Sequence, residues 1–172
     1  MNLTRLGAAA LLASLTLTTL TGCGMSGDRT PSAGISGTDQ AIDATKGVSS
    51  EIHDLIGLEG STTKAGVITD ECPGKDPETH FSTFHTWTLT PAASSGLDGV
   101  MERLKTSMPG LGWEVVGFEP DTSRNRNLTL TADDDAEKHS VKITYWAKDE
   151  PPKLNVSVVS GCYRVPEGET VE

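Results

Sequence analysis

The sequence predicts an α+β domain, a two-layer sandwich in which two helices cover one face of a mostly antiparallel, six-stranded sheet, in the order α-β-β-α-β-β-β-β. Three observations carry this expectation. Between residues 113 and 162, four runs read as strands joined by short polar segments, and the last three alternate apolar and polar side chains, the pattern of antiparallel strands with one buried and one wet face. Two earlier segments repeat apolar residues three or four apart, as helices with one buried stripe do. The three Trp, two Tyr and three Phe all fall between Phe81 and Tyr163, so the large anchors of the core lie in the second half of the chain.

The first helix is expected from Thr38 to about Leu58. Ala41, Ala44, Val48, Ile52 and Leu55 form its stripe, with Ile56 beside it. Ser36 or Thr38 suits the N-cap, Asp39 suits the positive N-terminal end, and Gly57 or Gly60 ends the helix. Gly47 weakens its middle by up to about 1 kcal/mol relative to Ala, so this helix depends on packing. Thr63–Glu71 reads as a strand stopped by Cys72-Pro73-Gly74. Residues 80–90 (HFSTFHTWTLT) are rich in Thr and aromatics, with His85, Trp87 and Leu89 on one face, and Pro91 ends the run. A second helix follows, capped by Ser94 or Ser95, with Asp98 in its first turn. Its stripe is Leu97, Val100, Met101, Leu104 and Met108, closed by Pro109-Gly110. Trp113–Glu119, Asn127–Ala132, Ser140–Ala147 and Lys153–Cys162 then follow as consecutive strands, for which a meander is the simplest topology.

With 172 residues the chain suits one globular domain, and a formal net charge of −10 repels phosphate backbones, which argues against nucleic acid as a partner. Residues 1–22 carry one charge, Arg5, followed by an uncharged Leu- and Ala-rich stretch from Leu6 to Leu20. As a helix that stretch reaches roughly 22 Å, short of the ~30 Å hydrocarbon core, so it reads as a signal-peptide core and not a membrane span. Residues 24–37 (GMSGDRTPSAGISG) read as a flexible linker, residues 38–165 as the domain, and 166–172 as an acidic tail.

Leu20-Thr21-Gly22-Cys23 resembles the lipobox of bacterial lipoprotein precursors. The resemblance implies diacylglycerol on the Cys23 thiol, cleavage before Cys23, and an anchor on the extracytoplasmic face of the cell membrane. Fatty acyl chains such as palmitate bury enough CH2 groups, at about 0.8 kcal/mol each, to anchor a chain that has no transmembrane helix. The layout of lipobox, linker and one α+β domain is similar to that of small lipoproteins of Gram-positive, high-GC bacteria, which implies a location and no activity. With Cys23 so modified, Cys72 and Cys162 remain as a pair in a compartment outside the cytosol, and a disulfide is expected between them.

Several constellations bear on chemistry. Ser61-Thr62-Thr63-Lys64 matches the S-x-x-K of penicillin-recognising serine enzymes, but its companion motifs are missing and it opens a strand where those enzymes open a helix. His80 and His85 lie five apart in a strand and point to opposite faces, so they cannot share an ion. Asp133-Asp134-Asp135 lacks the alternate ligands and turn glycine of a calcium loop and reads as a hairpin tip. No metal and no cofactor is expected. Trp146 falls on the polar face of its strand, beside Thr144 and near Thr129, Thr131 and Ser157, a plausible contact surface for a carbohydrate, peptide or protein. Tyr163 and Arg164 offer a second aromatic–cation pair.

The expected function is that of a membrane-anchored, non-enzymatic binding or adaptor module contacting an envelope protein or wall polymer. A carrier of a small apolar or lipid ligand, held against Met101, Leu104 and Met108, and an envelope hydrolase using Ser61 and Lys64 are the alternatives.

Overall fold

Period-two alternation builds a sheet whose rows can be followed across five strands. The computed structural model describes residues 30–63, 65–97 and 99–172. Its elements are β1 (Ser32–Ile35), α1 (Thr38–Ile56), β2 (Gly60–Thr62), β3 (Ile68–Glu71), β4 (His80–Pro91), α2 (Val100–Ser107), β5 (Glu114–Pro120), β6 (Leu128–Asp134), β7 (His139–Trp146), β8 (Lys153–Ser160) and β9 (Cys162–Arg164). Strands β5 to β8 form the expected antiparallel meander, and β4 pairs antiparallel with β8. One row runs Phe118–Leu130–Ile143–Val156–Trp87 and a second Val115–Ala132–Val141–Val158–His85, each residue directly opposite the next. These rows face the helices. With Leu97, Val100, Met101, Leu104, Met108 and the α1 residues Val48, Ile52 and Ile56, their buried apolar members form the main core cluster, against which Val115 and Phe118 pack half-buried.

The fold is α+β and mostly antiparallel, but the sheet has nine strands where six were expected. The expected last strand is divided at Gly161 into β8 and β9, which lie along the same edge of β4: Phe84 faces Val159 and Phe81 faces Tyr163, while β3 faces the same two residues from the opposite edge. The strand expected over Thr63–Glu71 is confined to β3, and β2 pairs separately with the far end of β4. Within the expected linker, Ser32–Ile35 form β1, parallel to β9. The reason is local: Gly161 has no side chain, and a Cβ there would stand 2.7 Å from the Pro31 carbonyl oxygen. That closeness lets the Cys162 N–H donate to the same oxygen at 2.7 Å. The C-terminal segment also folds back, with the Val171 N–H donating to the Glu78 carbonyl and Val171 packing on a second cluster of Ala41, Phe81, Tyr163 and Val165.

Helix α1 starts at Thr38 as expected, but its N-cap is Gly37, and it ends on Gly57 in the left-handed region at φ 62°. Its buried stripe is Ala41, Thr45, Val48, Ser49, Ile52 and Ile56. Ala44, expected inside, is exposed, because hydroxyl residues Thr45 and Ser49 take the inward positions to meet polar groups of the sheet. All five residues of the second expected stripe are buried, at 3% exposure or less. The helix itself is interrupted, because Gly99 at φ 72° separates a 3-10 turn (Ser94–Leu97) from α2. The Cys72–Cys162 disulfide is formed, with Cα atoms 5.9 Å apart. Cys23, Lys64 and Asp98 lie outside the described residues.

Candidate functional site

The face of the sheet turned away from the helices carries the polar alternate positions of β4 to β8. Two rows cross it side by side: Glu119–Thr129–Thr144–Asn155–Thr88 and Gly117–Thr131–Lys142–Ser157–Thr86. Thr129, Thr131, Thr144 and Ser157, singled out from the alternation, are therefore together on one surface, with Trp146 one repeat further along β7.

The two halves of this surface differ in chemistry. On β4 and β8 the polar groups satisfy one another. Thr86 Oγ1 donates to the Val156 carbonyl at 3.2 Å and lies 3.2 Å from Ser157 Oγ, and Asn155 Nδ2 donates to Thr88 Oγ1 at 3.4 Å. On β5 to β7, the side chains of Glu119, Thr129, Thr131, Lys142 and Thr144 make no hydrogen bond or ion pair among the described residues. Thr129 Oγ1 is shut off from solvent without any partner, in a residue 8% exposed. A buried polar group left unpaired costs about 1–3 kcal/mol of stability.

A groove of about 280 Å3 opens at this point, lined by Gly117, Glu119, Asp121, Thr129, Thr131 and Lys142 among others. It exists because β5 is bulged. The register slips between Val115 and Gly117, which turns Val116 outward (53% exposed) and brings Gly117 opposite Thr131. A Cβ on Gly117 would lie 3.6 Å from the Thr131 Cβ, an ordinary contact, so any side chain there would stand in the groove. Asp121, at the groove's end, is committed to its own loop. Its carboxylate accepts from the Ser123 hydroxyl at 2.6 Å and from the Asn127 N–H at 3.0 Å. The Ser123 hydroxyl foremost, and Asn127 after it, hold this carboxyl below the ordinary Asp range.

Trp146 is half-buried, and Lys153, opposite it on β8, holds its ammonium 5.3 Å from the ring centroid while pairing with Asp149 at 3.0 Å. The ring is thus held in place by a cation, with one part still open to solvent. Tyr163 does not join this surface. It is 8% exposed and packs 5.6 Å from the Phe81 ring on the helix side, where burial raises its phenol pKa above the ordinary value. Arg164, its neighbour, is exposed, since alternation turns it the other way. Ser61 sits exposed on β2, a short strand, and Thr63 is tied to β4, its Oγ1 accepting from the Thr88 N–H at 2.9 Å.

The sequence reading missed a polar seam between α1 and the sheet. Ser49 Oγ accepts from Trp87 Nε1–H at 2.8 Å and lies 2.8 Å from His85 Nδ1. The Ala65 carbonyl, 3.1 Å from Nε2, assigns the imidazole proton to that nitrogen, so Nδ1 accepts from Ser49. One turn earlier, Thr45 Oγ1 bonds both Thr83 Oγ1 and His139 Nε2, while His139 Nδ1–H donates to the Glu137 carbonyl at 2.7 Å. Ser49, His53, His85 and Trp87 line a cleft of about 310 Å3 beside Thr62, Thr63 and Ala65. The available signal was the i, i+4 pair Thr45/Ser49 beside His85 and Trp87 in one strand face. Hydroxyls at those positions read as solvent-facing when the sheet opposite them is unknown.

No group of three or more His, Cys, Asp or Glu among the described residues is placed to hold a metal ion, and no helix among them is long and apolar enough to cross a membrane. The chain matches no protein-family description, and no curated protein or solved structure is significantly similar to it.

Proposed function

We propose that this protein is a lipid-anchored module of the extracytoplasmic membrane face that binds an envelope ligand or partner through the uncovered face of its sheet, without catalysing a reaction. The observation that carries this is the unequal chemistry of that face. Its β5–β7 half carries the Thr131 and Thr144 hydroxyls, the Lys142 ammonium and the Glu119 carboxylate, which pair with no group among the described residues, with Trp146 on the same surface.

Two observations speak against catalysis. Ser49 lies in the middle of α1, so its own N–H belongs to the helix ladder and offers no oxyanion donor, and its oxygen already accepts from Trp87. Ser61 stands exposed on a short strand. The interior speaks against a carrier in the same way. Met101, Leu104 and Met108 are at most 3% exposed and belong to the main cluster, where they fill space between helices and sheet.

Native mass spectrometry of the intact protein, taken gently from its own membranes, tests the proposal. A diacylated chain beginning at Cys23, carrying a second component that Trp146→Ala sheds, is the expected result. An unlipidated chain, or a partner indifferent to Trp146→Ala, refutes the anchor or the sheet-face contact respectively.

A further inference from the structure

We infer that residues 31–36 are a mooring and not a free linker: docked as β1, they fix which end of the domain stands nearest the membrane and turn the Trp146 end of the sheet outward, so that a partner is met on the side away from the lipid. This rests on the Cys23 anchor of the proposed function, and adds where the chain is held and which way its surface points.

The main core does not require β1. No residue of Ser32–Ile35 belongs to the cluster between helices and sheet, and three of the four are exposed. Yet the strand is held at both ends. The Cys162 N–H donates to the Pro31 carbonyl at 2.7 Å, and the Ser36 N–H donates to the Arg164 carbonyl at 3.0 Å. Gly161 admits the strand by lacking a side chain, since a Cβ there would stand 2.7 Å from the Pro31 carbonyl oxygen and 3.3 Å from the Ala33 Cβ. Ala33 packs, as Val171 does, on the second cluster of Ala41, Phe81, Tyr163 and Val165, so both ends of the described chain meet there. Cys162, which holds Pro31, is itself tied by the disulfide to Cys72, the residue after β3. A pull on the arm is therefore passed to a covalently fixed residue.

The attachment lies at one end of the sheet. Ser160, beside Gly161, faces His139 at the start of β7, and Lys153 faces Trp146 at its end, about 24 Å further along. From Cys23 to Pro31 is eight residues, at most about 28 Å when fully extended. Without β1 the chain would first be held at Thr38, for a reach of about 50 Å. For the Trp146 end to touch the headgroups, Pro31 would have to stand about 24 Å above them. That is near the full stretch of the docked arm and well within that of a freed one. Only the docked arm holds the Gly161 end inward and leaves Trp146 outermost.

The test uses the full lipidated chain in vesicles of phosphatidylethanolamine and phosphatidylglycerol, treated with a short bis-amine-reactive crosslinker. Adducts between lysines and headgroup amines are counted by mass spectrometry, each normalised to labelling of the same lysine by a soluble reagent. Lys75, whose N–H donates to the Cys72 carbonyl, and Lys138, whose carbonyl accepts from the Gly161 N–H, mark the moored end. Lys148, exposed just past Trp146, marks the other. In the wild type the adducts at Lys75 and Lys138 should exceed that at Lys148 by about five-fold or more. Gly161→Ala should bring the ratio to within about two-fold, and so should Ser36→Pro, which removes the donor to Arg164. Amide exchange on the same vesicles checks that Ser32–Ser36 are released in both variants while β6 to β8 stay protected. Equal adducts in the wild type, an excess at Lys148, or an unchanged ratio in variants whose β1 is released overturns the mooring. A chain that carries no lipid removes the anchor and the mooring together; a lipidated chain without the preference removes the mooring alone.

Discussion

Ser49→Ala isolates the polar seam beneath α1. The hydroxyl it removes is 3% exposed and serves two groups, the Trp87 indole N–H and His85 Nδ1, each at 2.8 Å. Trp87 is itself 5% exposed, so its N–H is left buried without an acceptor, at a cost of about 1–3 kcal/mol. His85 is half-buried at the edge of the cleft, and water can replace the lost partner at small cost. Against this, alanine is the better helix former by about 0.5 kcal/mol. The net is about 1.5 kcal/mol of lost stability, or roughly 3–6 °C in melting midpoint for a domain of this size. Ser50→Ala is the internal control: its hydroxyl is exposed and donates only to the Lys46 carbonyl at 2.9 Å, one turn back. That change should stay within about 0.5 kcal/mol of wild type. Urea unfolding of both variants, with a double-mutant cycle to Trp87→Phe, gives the coupling directly. Phenylalanine keeps a ring but has no N–H to strand, so Ser49→Ala should cost less by about 1 kcal/mol in that background. Equal stability of Ser49→Ala and Ser50→Ala, or no coupling to Trp87, would refute the seam.

Three further perturbations have expected outcomes. Burial, partly opposed by the Glu137 carbonyl and the charges of Glu137 and Asp134, pushes the His139 pKa below its ordinary 6.5. The unfolded chain therefore takes up the proton first, and stability should fall as pH drops below about 6.5; denaturant midpoints measured between pH 7.5 and 5 should show this slope, and His139→Gln should flatten it. Cys72 and Cys162 are separated by 90 residues, a loop for which chain entropy gives roughly 4–5 kcal/mol as an upper figure. Reduction should lower the melting midpoint accordingly, and an unchanged midpoint would show that the reduced chain is held together by the sheet alone. Gly161→Ala sets a methyl group 2.7 Å from the Pro31 carbonyl oxygen and should displace β1. Faster amide exchange at Ser32–Ser36, with protection kept in β6 to β8, is the expected pattern; uniform protection would show that the backbone yields there at no cost.

The sequence by itself determined most of the sheet and the inward face of α2. Alternation over Leu128–Ala132, Val141–Tyr145 and Leu154–Val158 reads the same in any packing, because period two commits every second residue to one face. It also determined which threonines share the outer surface with Trp146, and which two cysteines could pair once Cys23 is set aside. Only the tertiary structure decided what a residue meets across a gap. Ala44 and Thr45 exchange their expected places because His139 and Thr83 stand where α1 lands, and no local pattern announces that. β1 forms within an apparent linker because Gly161 leaves room for it. Tyr163 turns inward onto Phe81, away from any contact surface. The groove itself needs the β5 bulge, a one-residue slip that sets Gly117 opposite Thr131 and is defined only by the partner strand. Periodicity is a property of a segment and survives without neighbours; hydrogen-bond partners, bulges and voids belong to pairs of segments, and arise only when the chain closes on itself.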